Sequence, residues 1–179
     1  IIAHKSVYDE LVAEMAKQAE AMALGDQMDP NTQNGPLVSD EHFEKVSGLV
    51  ETGKTQGARL VTGGTGAGGL KFQPTVFANV TKDMDIFQQE IFGPVLPIMK
   101  VSGYEEALAL TNARSEGLSA YLYTRDYTRF MHAIDNLQVG TIFINRGIVG
   151  YIQGYHSGHK HSGLGGEDGV YGIEGYLQK

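Results

Sequence analysis

Phe87-Gln88-Gln89-Glu90-Ile91-Phe92-Gly93-Pro94 sets a carboxylate and an aromatic ring two residues apart, directly before a Gly-Pro break. In an extended segment residues i and i+2 project to the same face. Glu90 and Phe92 can therefore meet one ligand together, the acid by hydrogen bonds and the ring by flat packing. Gly93 admits a backbone angle that other residues avoid, and Pro94 fixes the next one. A diol such as a ribose, attached to a flat ring, would suit the pair. The stretch stands between two strand-like runs: Thr75–Val80 is β-branched and alternating, and Val95–Val101 is apolar.

Working outward, strands alternate with helices. Residues 6–24 place Val7, Leu11, Met15 and Met22 at helical spacing, with Ser6 able to cap the start and Gly25 following the end. Residues 25–39 hold Asp, Asn, Gly and two Pro and read as a loop. Ser39 or Asp40 then caps a second helix, with Phe43, Val46 and Val50 on its apolar face and its end near Gly53. Arg59–Thr62 is a short strand and residues 83–89 a helical turn. Residues 104–113 form a helix with Ala107, Leu108 and Leu110 available to pack. Residues 119–123 form a strand, 126–137 a helix and 141–145 a strand. The alternation predicts βαβ units: an α/β fold with a mostly parallel sheet flanked by helices. Residues 146–179 read as a loop-rich tail, and a loop that long is usually functional or needs a partner surface.

A chain of 179 residues has the size of one ordinary domain, and its 41% hydrophobic and 20% charged content are those of a soluble globular protein. No apolar run approaches the roughly 18 residues needed to span a bilayer. No signal-peptide pattern opens the chain, and Ile1-Ile2 reads as a cut end. A net charge of −7 argues against binding nucleic acid or an anionic membrane, which needs clustered Lys and Arg. The absence of cysteine excludes disulfides and thiolate metal sites and suits a cytoplasmic protein.

Several motifs invite sharper readings than they support. Gly64-Thr65-Gly66-Ala67-Gly68-Gly69 contains G-x-G-x-x-G, but a dinucleotide fingerprint must open a helix, and here Pro74 leads into a strand; the segment reads as a hairpin-like loop. His156, His159 and His161 cluster without the ligand spacing of a zinc site, so no metal is expected. Glu105-Glu106 and Glu167-Asp168 read as helix-start and loop charges. Asn145 reads as a brace for backbone at a strand end. Asn79-Val80-Thr81 would matter only in a secreted protein.

The Glu90–Pro94 segment closely resembles the Glu-Ile-Phe-Gly-Pro motif of the NAD(P)-dependent aldehyde dehydrogenases. Arg59-Leu60-Val61-Thr62-Gly63-Gly64, Phe72-Gln73-Pro74-Thr75-Val76-Phe77 and Gly140-Thr141-Ile142-Phe143-Ile144-Asn145 fall in that family's order and at about its spacing. So do Lys160-His161-Ser162-Gly163, then Gly165 and Gly172. The resemblance covers essentially the whole chain. It is nearest the lactaldehyde/glycolaldehyde branch, which the closing Gly175-Tyr176-Leu177-Gln178 also resembles.

The resemblance implies that Glu90 binds the nicotinamide ribose and that Phe92 packs beside the nicotinamide. It implies a substrate pocket with His156, Tyr155 and Arg146, in which the imidazole could hydrogen-bond a 2-hydroxyl on the substrate. The cofactor would be NAD, with NADP not excluded, the substrate a small aldehyde, and the assembly a homo-oligomer joined through sheet edges and a C-terminal strand that is cut short after Lys179. The branch carries an acidic residue six positions before the pocket histidine; here that position is Gly150. In the family a cysteine thiolate adds to the aldehyde, the thiohemiacetal delivers hydride to NAD(P), and the thioester is hydrolysed. That cysteine, the general-base glutamate and the dinucleotide-binding domain are expected upstream of Ile1. The chain would then be the C-terminal part of a catalytic domain without its thiol. A noncatalytic, self-associating domain or pseudoenzyme fragment is the competing expectation, and a metal- or phosphate-binding module a third.

Overall fold

The computed structural model describes residues 1–147 and 150–178. Ile148, Val149 and Lys179 lie outside the described residues, and with Lys179 the truncated strand end expected there. The chain divides into two compact units, Ile1–Gly103 and Tyr104–Lys179, a division that composition does not announce.

The first unit runs β1 (Ile2–His4), α1 (Tyr8–Ala21), α2 (Asp40–Thr55), β2 (Arg59–Thr62), β3 (Thr75–Val80), α3 (Asp85–Gln88) and β4 (Val95–Val101). Its sheet has the order β1-β4-β3-β2. β1, β4 and β3 are parallel, and β2 is an antiparallel edge against β3. Both faces are covered, which is why β3 is apolar almost throughout. Val76 and Ala78 pack with Tyr8 and Val12 of α1, while Phe77 and Val80 pack with Val46, Leu49 and Val50 of α2 and Ile86 of α3. Simple alternation would put Asn79, not Val80, on the face of Phe77. Asn79 instead turns left-handed (φ 57°) where the β3–β4 register shifts, and this returns Val80 to the core. The hydroxyl of buried Tyr8 accepts from Asn79 N at 2.6 Å and donates to Ile98 O at 3.4 Å.

Three details differ from the sequence reading. The first helix starts at Tyr8 with no side-chain cap, because the cap position falls on Val7, whose side chain cannot accept, while the Ser6 hydroxyl lies 2.7 Å from His4 Nδ1; it ends at Ala21, well short of Gly25. The second helix is capped by Ser39, which accepts from His42 N, but it runs on to Thr55. Gly53 is not its end. It lies inside, where a methyl group would stand 3.0 Å from two carbons of Ile86. β1 went unrecognised, being three residues long with its pairing partner far off in sequence.

The second unit runs α4 (Tyr104–Asn112), β5 (Glu116–Gly117), β6 (Ser119–Leu122), α5 (Tyr127–Asn136), β7 (Thr141–Ile144), β8 (His156–Ser157), β9 (His159–Lys160), β10 (Gly166–Glu167) and α6 (Gly169–Glu174). β6, α5 and β7 form the expected parallel βαβ unit. Asp126 caps α5 by accepting from Thr128 N at 2.9 Å and Arg129 N at 3.2 Å. The tail is not all loop: β9 pairs with β5, and β10 with β8, each antiparallel over two residues. Among the described residues of this unit Ala133 is the one buried hydrophobic side chain, whereas Tyr121, Tyr127, Met131 and Ile134 are exposed. Among the described residues no helix is long and apolar enough to cross a membrane.

Candidate functional site

In the first unit the Glu90–Pro94 loop hangs between α3 and β4. Ile91 is buried against Val46 and Val50 of α2, and it anchors a loop whose neighbours Glu90 and Phe92 both face solvent. The alternation in exposure fits the reading of the sequence, but the backbone route does not. Phe92 is left-handed (φ 55°), so the segment is not extended. The strained position is therefore Phe92 and not Gly93, which is absent from the positive-φ residues. Gly93 is required for space: a methyl group there would stand 2.8 Å from Val46 Cγ2. A ring 69% exposed on a left-handed residue is costly twice over, and such positions persist where surrounding contacts over-determine them.

Those contacts come from α2. His42 Nε2 lies 2.8 Å from Phe92 O, and Lys45 Nζ donates to Glu90 O at 3.3 Å. Neither residue was singled out from the sequence. They sit one turn apart beside Val46, and nothing local connects them to a loop some fifty residues on. Among the described residues the Glu90 carboxylate has no hydrogen bond or ion pair, so it is free to accept one. The Gly64–Gly69 segment is a hairpin connection: Gly66 bridges Phe72 antiparallel, Ala67 N donates to Lys71 O at 2.8 Å, and β3 follows rather than a helix.

In the second unit His156 opens β8, half-buried, with Nδ1 2.9 Å from Thr141 Oγ1. Its Nε2 has no hydrogen bond among the described residues. Tyr155 is 42% exposed and meets Tyr171 edge-on at 5.6 Å. Arg146 donates through Nη1 to the Tyr151 hydroxyl at 3.0 Å, and its carbonyl accepts from Tyr123 Oη at 3.0 Å. Its Nε is buried and lacks a partner among the described residues. Asn145 braces backbone as expected, accepting from Thr124 N at 2.9 Å and donating to Thr124 O at 2.8 Å from a left-handed conformation (φ 51°).

Lys160-His161-Ser162-Gly163 proves to be a fastening. Lys160 Nζ donates to Asn112 O at 2.7 Å and Arg114 O at 2.9 Å, and Ser162 Oγ accepts from Gly117 N at 2.9 Å. Among the described residues no three His, Cys, Asp or Glu side chains are placed to hold a metal. Glu116, on β5, accepts from Ser115 and from Arg114, and these contacts hold its carboxyl below the usual carboxylate range.

Known proteins match this arrangement along its length. A 3,6-anhydro-alpha-L-galactose dehydrogenase of Streptomyces coelicolor is 38% identical over 182 residues, which is 98% of this chain and 37% of that protein. A solved 3,6-anhydro-L-galactose dehydrogenase in complex with NAP matches with a TM-score of 0.94 and 37% identity, over 99% of this chain and 38% of that one. Betaine aldehyde dehydrogenase from Staphylococcus aureus in complex with NAD+ matches with a TM-score of 0.94 and 31% identity, over 99% of this chain and 37% of that one. The chain thus spans little more than a third of the length of such relatives. The model of the aldehyde dehydrogenase family matches residues 1–179, and the chain belongs to that family.

Proposed function

We propose that this chain is the C-terminal part of the catalytic domain of a longer, NAD-dependent aldehyde dehydrogenase that oxidises an aldehyde to a carboxylic acid. The observation that carries the proposal is the Glu90–Phe92 loop: an exposed carboxylate with no partner among the described residues, two residues from an exposed ring held in a left-handed turn. Those groups fit a nicotinamide riboside, the carboxylate accepting from the ribose hydroxyls and the ring lying against the base. NAD, when bound, supplies the hydride acceptor; NADP fits the same two residues equally well. This chain has no cysteine, so the nucleophilic thiol belongs to the rest of the enzyme; by the family resemblance the general-base glutamate belongs there too.

For the substrate we propose a small 2-hydroxyaldehyde of the lactaldehyde or glycolaldehyde kind, met by His156 with Tyr155 and Arg146 lining the pocket. The Nε2 of His156, which has no hydrogen bond among the described residues, supports that reading, as do relatives named for a galactose derivative. Thr141 orients the imidazole through Nδ1. Thr141→Val is expected to raise KM for the hydroxyaldehyde about fivefold, the worth of one neutral hydrogen bond. KM for an aldehyde without the hydroxyl should stay put, and equal changes for the two would remove His156 from substrate recognition. The proposed enzyme is cytoplasmic and a homo-oligomer.

Glu90→Gln in the full-length enzyme tests the cofactor reading. A hydrogen bond to a charged acceptor contributes about 1.5–3 kcal/mol, so turnover is expected to fall roughly 10- to 100-fold. The carboxylate has no partner within the described fold, so stability should move by less than about 0.5 kcal/mol. Wild-type turnover would take Glu90 out of the site. A second reading, a noncatalytic self-associating domain, draws on the exposed Tyr121, Tyr127, Met131 and Ile134. The intact mass of the subunit from its native source decides between the two: a mass near 19.4 kDa favours the second, a much larger one the enzyme.

A further inference from the structure

We propose that His42 is a positioning residue for the cofactor-facing loop, acting through the Phe92 carbonyl rather than through any contact with the cofactor. The inference rests on the reading of Glu90 and Phe92 given above. Phe92 is held left-handed and exposed, a conformation a phenylalanine abandons unless something fixes it. Burial of Ile91 anchors the loop, and the close approach of Gly93 to Val46 limits how it can turn. Neither of these sets the plane of the Phe92–Gly93 peptide. The imidazole does, with Nε2 at 2.8 Å from Phe92 O. Lys45 steadies the other side of Ile91 through Glu90 O, at a longer 3.3 Å and from a flexible side chain. His42, Lys45 and Val46 lie at i, i+3 and i+4, so one face of α2 carries all three constraints. The helix is itself pinned by its Ser39 cap, which accepts from His42 N at 3.1 Å. The cap and the clasp therefore meet at one residue.

The contacts that orient the loop all come from the protein itself, so removing the clasp should loosen the loop and weaken cofactor binding. The experiment compares His42→Ala and His42→Gln in the full-length enzyme. The amide of glutamine can donate from about the reach of Nε2, whereas alanine cannot. Without cofactor, amide exchange in a peptide spanning residues 88–95 is expected to quicken about tenfold in His42→Ala and to stay near wild type in His42→Gln. By calorimetric titration, Kd for NAD is expected to rise about five- to tenfold in His42→Ala and to recover in His42→Gln. Wild-type exchange and NAD affinity in His42→Ala overturn the proposal, and so does loss of affinity that His42→Gln fails to restore. Phe92→Ala and Glu90→Gln, titrated alongside, separate the two failures. If they too bind NAD normally, the cofactor reading itself is wrong; if they weaken binding while His42→Ala does not, only the positioning role falls.

Discussion

Residues 1–179 produced alone are expected to yield no NADH from any aldehyde in the presence of NAD. An aldehyde carbon gives up hydride readily only after a nucleophile has added to it and left an oxyanion to push the hydride out. This chain has no thiol to add. A hydroxyl can substitute when an adjacent base takes its proton, and Thr141 does touch His156. That contact is made by a hindered secondary hydroxyl to Nδ1, and among the described residues no carboxylate orients the other nitrogen. Enzymes of ordinary power accelerate reactions at least about a million-fold. Losing the covalent step removes most of that, so the residual rate falls below detection. The measurement is NADH absorbance against a heat-killed control, across hydroxylated and simple aldehydes, on protein whose circular dichroism confirms folding. NADH above the control would place a nucleophile inside these residues and displace the division of labour proposed here.

Much of the fold was legible because its strands announce themselves locally. Thr75–Val80 and Val95–Val101 were read with the bounds the structure gives them. Their composition suits a strand buried on both faces, and polar or glycine-rich turns bracket them. What failed was set by partners distant in sequence. β1 is a strand only because Ile2, Ala3 and His4 pair with Met99, Lys100 and Val101. The cap position falls on Val7 rather than Ser6, whose hydroxyl meets His4, and glycine suits position 53 inside the helix because Ile86 fills the space a side chain would take. Local propensity carries none of these tertiary choices.

The site was legible in its residue types and not in its backbone. Glu90 and Phe92 stood out as an acid and a ring before Gly-Pro, and the sequence assigned the unusual backbone angle to the glycine. The structure assigns it to Phe92, held from outside by His42. Asn145 was read correctly because the job of an asparagine at a strand end is local: its amide reaches the main chain of Thr124 across the parallel neighbour. The lysine and serine of the 160–163 motif turn out to hold backbone, which their residue types alone do not distinguish from holding a ligand.

Gly140→Ala is expected to be the most damaging methyl group that can be added to the second unit. Alanine can adopt the backbone angles of Gly140, which are not left-handed. The obstacle is the backbone of β8: the new carbon would stand 1.6 Å from Ser157 O and 2.6 Å from its carbonyl carbon. No rotamer relieves a clash between a Cβ and another strand's main chain, so β8 must move. Gly140 N also donates to Gly117 O at 3.1 Å, and a methyl at Gly117 would itself stand 2.3 Å from Gln138 O. Backbone meets backbone at this crossing, and yielding on one side disturbs the other. Overpacking of this kind costs about 1–3 kcal/mol and sometimes more, which lowers the melting temperature by roughly 2–4 °C per kcal/mol in a chain of this size. His156 precedes Ser157 and Thr141 follows Gly140, so the 2.9 Å contact between them should break with the same shift. Gly165→Ala is the control, since nothing lies within 4 Å of its added methyl and its φ is not positive. Its melting temperature should match wild type. If Gly140→Ala also melts with wild type and keeps hydroxyaldehyde KM unchanged, the glycine is not required by this crossing, and the placement of His156 does not depend on it.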